Sequence, residues 1–572
     1  MTSLKWWQTT VFYQIYPRSF ADGNGDGIGD FKGITEKLDY LAGLGVDALW
    51  LSPHFPSPNW DCGYDISDYE NVAPEYGTLD DFKTFLEESH KRNLRVILDL
   101  VLNHTSDEHP WFVESKSSRD NPKADWYVWM DTQPNNWQSC FDGDAWTYAP
   151  ERNQYYYHYF MKQQPDLNWH NPEVKKAMWD AIRFWLDLGV DGYRLDAIGT
   201  IFEDPKLTPH TVPMTLAELR RFSDTAKTPK EIKLKDKYWH DMFKNQWGQK
   251  GVHELMKELR AVIDEYDERM LVGEDDNIDY MGDGKDELHL VFNFPLMRTE
   301  KISPAHVHKN QKERLGKLDT LPKAKGWPCN TLGNHDCSRI HTRFGDKVHD
   351  AELARLNAAL VLTMKGTPFL YNGEEIGMTD MMLADISQVR DTMGSWYYHV
   401  IVTDMGVHPQ EAMLRTAEMT RDKNRTPMQW SNHPNAGFSP AEANTWLPIN
   451  PNYKEGVNVY DQENNPASLL TYYKHLLRVR RESSALKEGE YVPLQTTARE
   501  YFSFLRQSPA QTVLVVLNYS DQAMELDFTR TKEIRNSNLR TLFTSAERRS
   551  AELTPKFKIG AFEVFIAEVE RG

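Results

Sequence analysis

Residues Arg95–His104 read RVILDLVLNH and residues Val190–Ile198 read VDGYRLDAI. Each is an apolar, β-branched run of the length of a strand buried on both faces, and each carries charge: Asp99 and His104 in the first, Arg194 and Asp196 in the second. Six more runs of this kind lie outward from them: Val11–Pro17, Val46–Pro53, Met270–Glu274, Leu288–Phe294, Pro328–Asp336 and Thr367–Glu375. Stretches of helical period fall between them, among them Thr78–Arg92, Pro172–Leu188, Gly251–Tyr266 and His349–Met364. Strand and helix alternating eight times define an α/β fold, a (β/α)8 TIM barrel.

The chain has 572 residues, well beyond the roughly 250 of such a barrel, so long excursions are expected. The pattern divides it into a first part of the barrel (1–104), an inserted domain after the third strand (105–171), rich in Trp, Tyr, Asn, Asp and Pro, and a second part of the barrel (172–485). That second part holds an irregular insertion at 378–465. The last stretch, 486–572, alternates apolar and polar residues without helical period, as in Tyr501–Arg506 and Thr512–Tyr519, and reads as an antiparallel β-sandwich domain. The polar stretch Asp204–Gln249 is either a lid or a surface loop.

Composition narrows the function. Lys and Arg number 66 against 84 Asp and Glu, a net charge of −18, so the overall field repels nucleic acid and anionic lipid. The four cysteines form no CxxC pair and are too sparse for a disulfide framework. No secretory leader or run of ~18 apolar residues is present. The expectation is a cytoplasmic protein without a membrane segment, acting as a monomer or weak homo-oligomer on a small molecule.

In a barrel of this kind chemistry sits at the carboxyl ends of the strands. Asp196, Glu274 and Asp336 would converge there from three strands. A carboxylate at the end of an apolar strand is costly to desolvate unless it is paired or has a chemical task. Several acids with Arg and His, and no metal-ligand cluster, are the equipment of glycoside hydrolysis: one carboxylate attacks, another, protonated, serves the leaving oxygen. Arg194, two residues before Asp196, is expected to keep it ionised. Glu274, with fewer cations nearby in sequence, is the expected proton donor.

The segments DLVLNHT (Asp99–Thr105), GYRLDAI (Gly192–Ile198), VGED (Val272–Asp275) and GNHD (Gly333–Asp336) resemble, in order, the four signature segments of the α-amylase family of glycoside hydrolases. QPDLNW (Gln164–Trp169), FYQIYPRSF (Phe12–Phe20), GYDISDY (Gly63–Tyr69) and RTPMQW (Arg425–Trp430) are similar to its oligo-1,6-glucosidase and α-glucosidase branch. The resemblance implies Asp196 as nucleophile, Glu274 as acid/base, and Asp336 gripping the 2- and 3-hydroxyls with His104 and His335. It implies Arg194 orienting the nucleophile, Tyr64 as the floor under the sugar ring, Phe141 and Gln164 as pocket lining, and an Asp61–Arg425 pair blocking the non-reducing end. The implied activity is that of a retaining exo-acting α-glucosidase. Ala197, where the resemblance puts Val in α-1,6-preferring members, favours maltose-type or sucrose-type substrates.

A sucrose isomerase or transglucosylase would share these residues, but no Arg-rich motif like RLDRD stands between Phe294 and Pro328 or in Arg339–Asp346. A non-catalytic relative would have lost the acids that are kept here. Three further readings complete the sequence. Asp22, Asn24, Asp26, the Ile28 carbonyl and Asp30 alternate as in the first half of an EF-hand loop, with Gly27 at the sixth position but Gly33 at the twelfth. This suggests one structural Ca2+ site, or Mg2+, as the related glucosidases have. Among Trp126, Tyr127, Trp129, Trp137, Trp146, Tyr155, Tyr156 and Tyr157, most are expected to fill a core rather than stack on sugar. Cys62 and Cys337, each following a site acid, are expected near the pocket.

Overall fold

A computed structural model of the chain describes residues 4–141, 143–548 and 552–571; residues 1–3 and 572, the outer ends of the ranges drawn above, lie outside it. Strands β1 (Phe12–Ile15), β2 (Ala48–Leu51) and β3 (Arg95–Leu100) open the barrel. An excursion follows with β4 (Trp129–Met130), β5 (Trp146–Ala149) and β6 (Gln154–Tyr157), paired antiparallel in the order β4-β6-β5. The barrel resumes with β7 (Gly192–Leu195), β8 (Met270–Gly273), β9 (Leu290–Val291), β10 (Cys329–Asn330) and β11 (Thr367–Tyr371). The eight parallel strands run in the order β10-β11-β1-β2-β3-β7-β8-β9, and a parallel bridge between Phe292 and Cys329 closes the ring. Each of the eight apolar runs contains one of these strands. The strands are shorter than the runs; the residues past the strand ends include Asp196, Glu274, His335 and Asp336, while Asp99 and Arg194 stay within β3 and β7.

Register sets the site. Asp99 on β3 and Arg194 on β7 are direct partners across the parallel pair, so their side chains lie in one layer inside an otherwise apolar barrel. The outer helices are fixed by their ends. Pro172–Leu188 is capped by Asn171, whose side chain accepts from Glu173 N at 2.8 Å, and it stops at Gly189 in the left-handed conformation.

Two stretches differ from the sequence expectation. The 204–249 region is not a plain surface loop: helices Leu216–Thr225 and Pro229–Phe243 each open with a Thr/Glu capping box and pack on the excursion sheet. Leu216, Leu219, Met242 and Phe243 share a buried cluster there with Trp137, Trp146 and Tyr157. The 378–465 region is not irregular throughout, since it holds helices Thr392–Thr403 and Pro409–Met419, and Trp396 reaches the same cluster.

The C-terminal region has strands β12 (Glu490–Leu494), β13 (Tyr501–Gln507), β14 (Thr512–Asn518), β15 (Met524–Asp527), β16 (Ser537–Thr544), β17 (Glu552–Leu553), β18 (Lys556–Ile559) and β19 (Val564–Arg571). Six form one antiparallel sheet, and β15 and β18 pair separately. Strand alternation divides the large sheet between two cores: Val513, Val515 and Leu517 belong to the barrel's cluster, while Leu514 and Val516 pack toward Leu526 and Phe557 of the small pair. Among the described residues, no helix is long and apolar enough to cross a membrane, and no cysteine is in a disulfide.

Candidate active site

A cavity of about 550 Å3 opens at the carboxyl ends of the barrel strands. Of the residues named from sequence, Asp196, Glu274, Asp336, Asp61, Tyr64, His104 and Phe141 line it. Arg194, Gln164, His335 and Arg425 stand behind them and hold them.

Arg194 organises the reaction centre. Its side chain is fully buried; Nη1 donates to Asp99 Oδ1 at 2.7 Å and to Asp196 Oδ1 at 2.8 Å, and Nη2 lies 2.8 Å from Glu274 Oε2. That same Oε2 accepts from Ala197 N at 2.9 Å. Glu274 is therefore not the cation-poor acid expected from sequence; it shares the guanidinium that holds Asp196, because β7 and β8 are neighbouring strands. Asp99 Oδ2 is satisfied by Trp50 Nε1 and Tyr64 OH, both at 3.1 Å.

Burial pushes the Asp196 carboxyl well above its ordinary range; Arg194 opposes this, while Glu274, Asp99 and Asp336 add to it. Burial likewise lifts Asp99 to about 6 against the pull of Arg194. Asp99 and Asp196, sharing one buried cation, titrate together rather than singly.

Asp336 is built the opposite way. Burial again acts to raise it, but His335, Arg425 and Arg421 outweigh burial and hold it below the usual carboxylate range. Arg425 Nη2 donates to Asp336 Oδ1 at 2.7 Å, and Arg425 Nε donates to the His335 carbonyl at 2.9 Å. His335 Nε2 stands 2.6 Å from Tyr64 OH and 3.2 Å from Asp336 Oδ2, with its ring parallel to that of Tyr64. Burial holds both site histidines neutral: His104 falls to about 3 and His335 lies well below the ordinary imidazole value.

The partner of Asp61 differs from the pair expected from sequence. Arg421, not Arg425, reaches it, with Nη2 donating to Asp61 Oδ1 at 2.7 Å, while Gln164 Nε2 donates to Asp61 Oδ2 at 3.2 Å and stands 3.0 Å from His104 Nε2. Arg425 is turned beneath Asp336 instead. Arg421 is aimed into the cavity by Asp391, which receives its Nε, Nη2 and backbone N–H, and its guanidinium lies over the Phe141 ring at 5.1 Å. Asp391 begins the helix Thr392–Thr403, inside the stretch read as irregular. The sequence reading named only Arg425; Arg421, four residues earlier, is the one that lines the cavity.

Sequence reading also missed Cys140, Tyr159, Phe160, Trp247, Phe294 and Arg298 in the cavity wall. Of the eight excursion aromatics, six are buried and none lines the cavity. Neither Cys62 nor Cys337 lines it, although Cys337 feels the charge of Asp336 and Glu274.

In the loop Asp22–Asp30 the carboxylates are wrapped by backbone N–H groups. Asp22 accepts from Gly25 N at 2.6 Å and Gly27 N at 2.8 Å, and Asp26 accepts from Ile28 N at 2.8 Å. Asp30 accepts from Gly33 N at 2.6 Å and caps the helix Phe31–Glu36. Among the described residues these three acids have no Lys, Arg or His partner, and no three His, Cys, Asp or Glu side chains are gathered as a metal-ligating group. Any cation here would depend on the Asn24 amide and the Ile28 carbonyl as well.

A barrel with carboxylates on three strand ends around a buried arginine, in a sugar-sized cavity, defines a glycoside hydrolase site. The catalytic-domain model of the α-amylase family matches residues 14–489, and the C-terminal domain model of maltogenic amylases matches residues 492–566. The chain belongs to the α-amylase family. It is 41% identical over 536 residues to the oligo-1,6-glucosidase of Parageobacillus thermoglucosidasius, covering 90% of this chain and 91% of that one. It is 40% identical to a probable alpha-glucosidase of Rhizobium meliloti, covering 91% and 90%. An isomaltulose synthase mutant from Erwinia rhapontici NX5, solved in complex with sucrose, superposes with a TM-score of 0.85 at 34% identity, covering all of both chains.

Proposed function

We propose that the chain is a retaining exo-acting α-glucosidase that removes the terminal non-reducing α-linked glucose from disaccharides and short oligosaccharides. The observation that carries this is the pair of bonds from one guanidinium to Asp196 and Glu274. Two carboxyls bonded to one planar cation are close neighbours, which supports the short separation (about 5–5.5 Å) that direct attack requires. Asp196 attacks the anomeric carbon while Glu274 protonates the departing oxygen, giving a glucosyl ester. Glu274 then takes a proton from water, which attacks the same carbon from the vacated side and frees Asp196.

Asp336, held anionic by Arg425 and Arg421, suits a grip on sugar hydroxyls. Asp61 and Arg421, bonded to each other against Gln164 and Phe141, suit the closed end of a pocket that admits one terminal sugar. Ala197 supports maltose-type or sucrose-type substrates over α-1,6 links. A panel of maltose, sucrose, trehalose and isomaltose tests both points: glucose release from maltose or sucrose exceeding that from isomaltose is expected, and the reverse order contradicts the linkage assignment.

A second reading, sucrose isomerase, is favoured by the likeness to the isomaltulose synthase structure. Chromatography after incubation with sucrose separates the two: free glucose and fructose mean hydrolysis, a new disaccharide means isomerisation.

We further propose a structural Ca2+, or Mg2+, held by Asp22, Asn24, Asp26, the Ile28 carbonyl and Asp30. Three carboxylates in one loop without a side-chain counter-charge support it. Chelation with EGTA is expected to lower Tm, with recovery on adding back Ca2+; an unchanged Tm contradicts it. The remaining assignments are a cytoplasmic location, supported by cysteines outside disulfides, and a monomer or weak homo-oligomer.

A further inference from the structure

The return of the helical hairpin to the barrel is clamped on both sides of one residue. The Asn245 carbonyl accepts from Asp204 N at 2.8 Å. Gln246, fully buried, accepts from Tyr157 OH at 3.0 Å and donates to the Gln138 carbonyl at 3.2 Å. Gly248 N donates to the Gly199 carbonyl at 2.7 Å. Between them stands Trp247, 42% exposed and lining the catalytic cavity. A solitary exposed aromatic on a convex surface means little; one fixed at both flanks and turned into a cavity is a preformed face.

Its seat depends on Gly199. A Cβ at position 199 would lie 2.6 Å from the indole ring and 3.0 Å from Asp275 Oδ2, so only a glycine lets the ring settle there. Gly199 is three residues past Asp196, and Asp275 follows Glu274. The indole therefore sits where the segments carrying Asp196 and Glu274 meet, beside Asp275 and with the Tyr159 ring 6.2 Å away. The same cavity presents the Phe294 ring and an ion pair between Arg298 and Asp276. An aromatic face beside a charged pair matches a pyranose or furanose ring, which offers C–H surface on its faces and hydroxyls around its rim.

We propose that Trp247 is the specificity-determining platform for the leaving group, stacking on the sugar ring expelled from the terminal glucose. Because its hairpin is packed into the excursion sheet, the platform is part of a fixed wall, and it recognises the first ring beyond the scissile bond. The inference rests on the α-glucosidase reading and adds to it the group that selects the departing half of the substrate.

The test compares maltose, whose leaving group is a whole ring, with α-glucosyl fluoride, whose leaving group is one atom. In Trp247→Ala, kcat/KM for maltose is expected to fall about tenfold further than kcat/KM for the fluoride. Trp247→Phe is expected to keep most of the maltose rate. Gly199→Ala, which displaces the indole without removing it, is expected to reproduce the selective loss. Equal fractional losses on both substrates, or no loss on maltose, would overturn the proposal. A wild-type chain inert on both substrates would instead overturn the α-glucosidase reading, and this proposal with it, so the two failures are distinguishable.

Discussion

Arg194 is a single cation serving three carboxyls, and this sets the pH behaviour of the centre. Asp99 raises the Asp196 carboxyl and competes with it for Nη1. Removing that charge lowers the Asp196 value, so the anionic nucleophile persists to lower pH. The acid limb of the kcat/KM profile of Asp99→Asn is accordingly expected to move to lower pH; an unmoved limb, or one moved upward, contradicts the shared-cation description. Asp196→Ala is expected to cut release of p-nitrophenol from its α-glucoside by several orders of magnitude. Undiminished turnover would remove Asp196 as nucleophile. Asp99, Arg194, Asp196 and Glu274 were all visible in sequence, since charge inside an apolar run stands out. What the pattern could not give was that Arg194 bridges to Glu274, because that depends on which strands are neighbours.

At the scale of elements, the helical hairpin Thr392–Met419 is tied to the pocket through Asp391. Its carboxylate holds Arg421, and the Asp422 carboxylate in return accepts from Arg390 N at 2.6 Å and Asp391 N at 2.9 Å. Asp391 is thus a positioning residue, acting through Arg421 on the Asp61 side of the cavity. In Asp391→Asn, KM for maltose is expected to rise about tenfold with a smaller change in kcat, and Tm to fall by several degrees, since one charge of a buried pair is gone. A lowered Tm with unaltered KM would leave Asp391 a purely structural group.

The barrel strands were legible because period and apolar content agree. The hairpins at 216–243 and 392–419 were not, because their apolar faces are matched to the excursion sheet and to each other rather than to the barrel. Local signals did exist: Thr215 with Glu218, and Thr228 with Glu231, mark helix starts.

At the scale of the whole molecule, three excursions meet over one mouth of the barrel, and the C-terminal sheet closes a flank. Arg480 and Arg506 seal that flank by donating to the carbonyls of Leu362, Gly366 and Thr363 at the end of the helix Asp350–Thr363. Strands β13, β14, β15 and β19 were anticipated by their alternation, whereas β16 was not: it lies between β19 and β17, and a register shift between Thr541 and Phe543 breaks its period. The cavity at the carboxyl ends of the barrel strands holds Asp196, Glu274 and Asp336 together, and the proposed chemistry there makes a stereochemical commitment.

That commitment is tested most directly by proton NMR of maltose hydrolysis in its first minutes, before the anomers of glucose equilibrate. The glucose freed from the non-reducing end should appear first as the α-anomer, the product of two inversions at the anomeric carbon, by Asp196 and then by water. Initial release of β-glucose would contradict a covalent role for Asp196 and the close pairing with Glu274 on which the assignment stands.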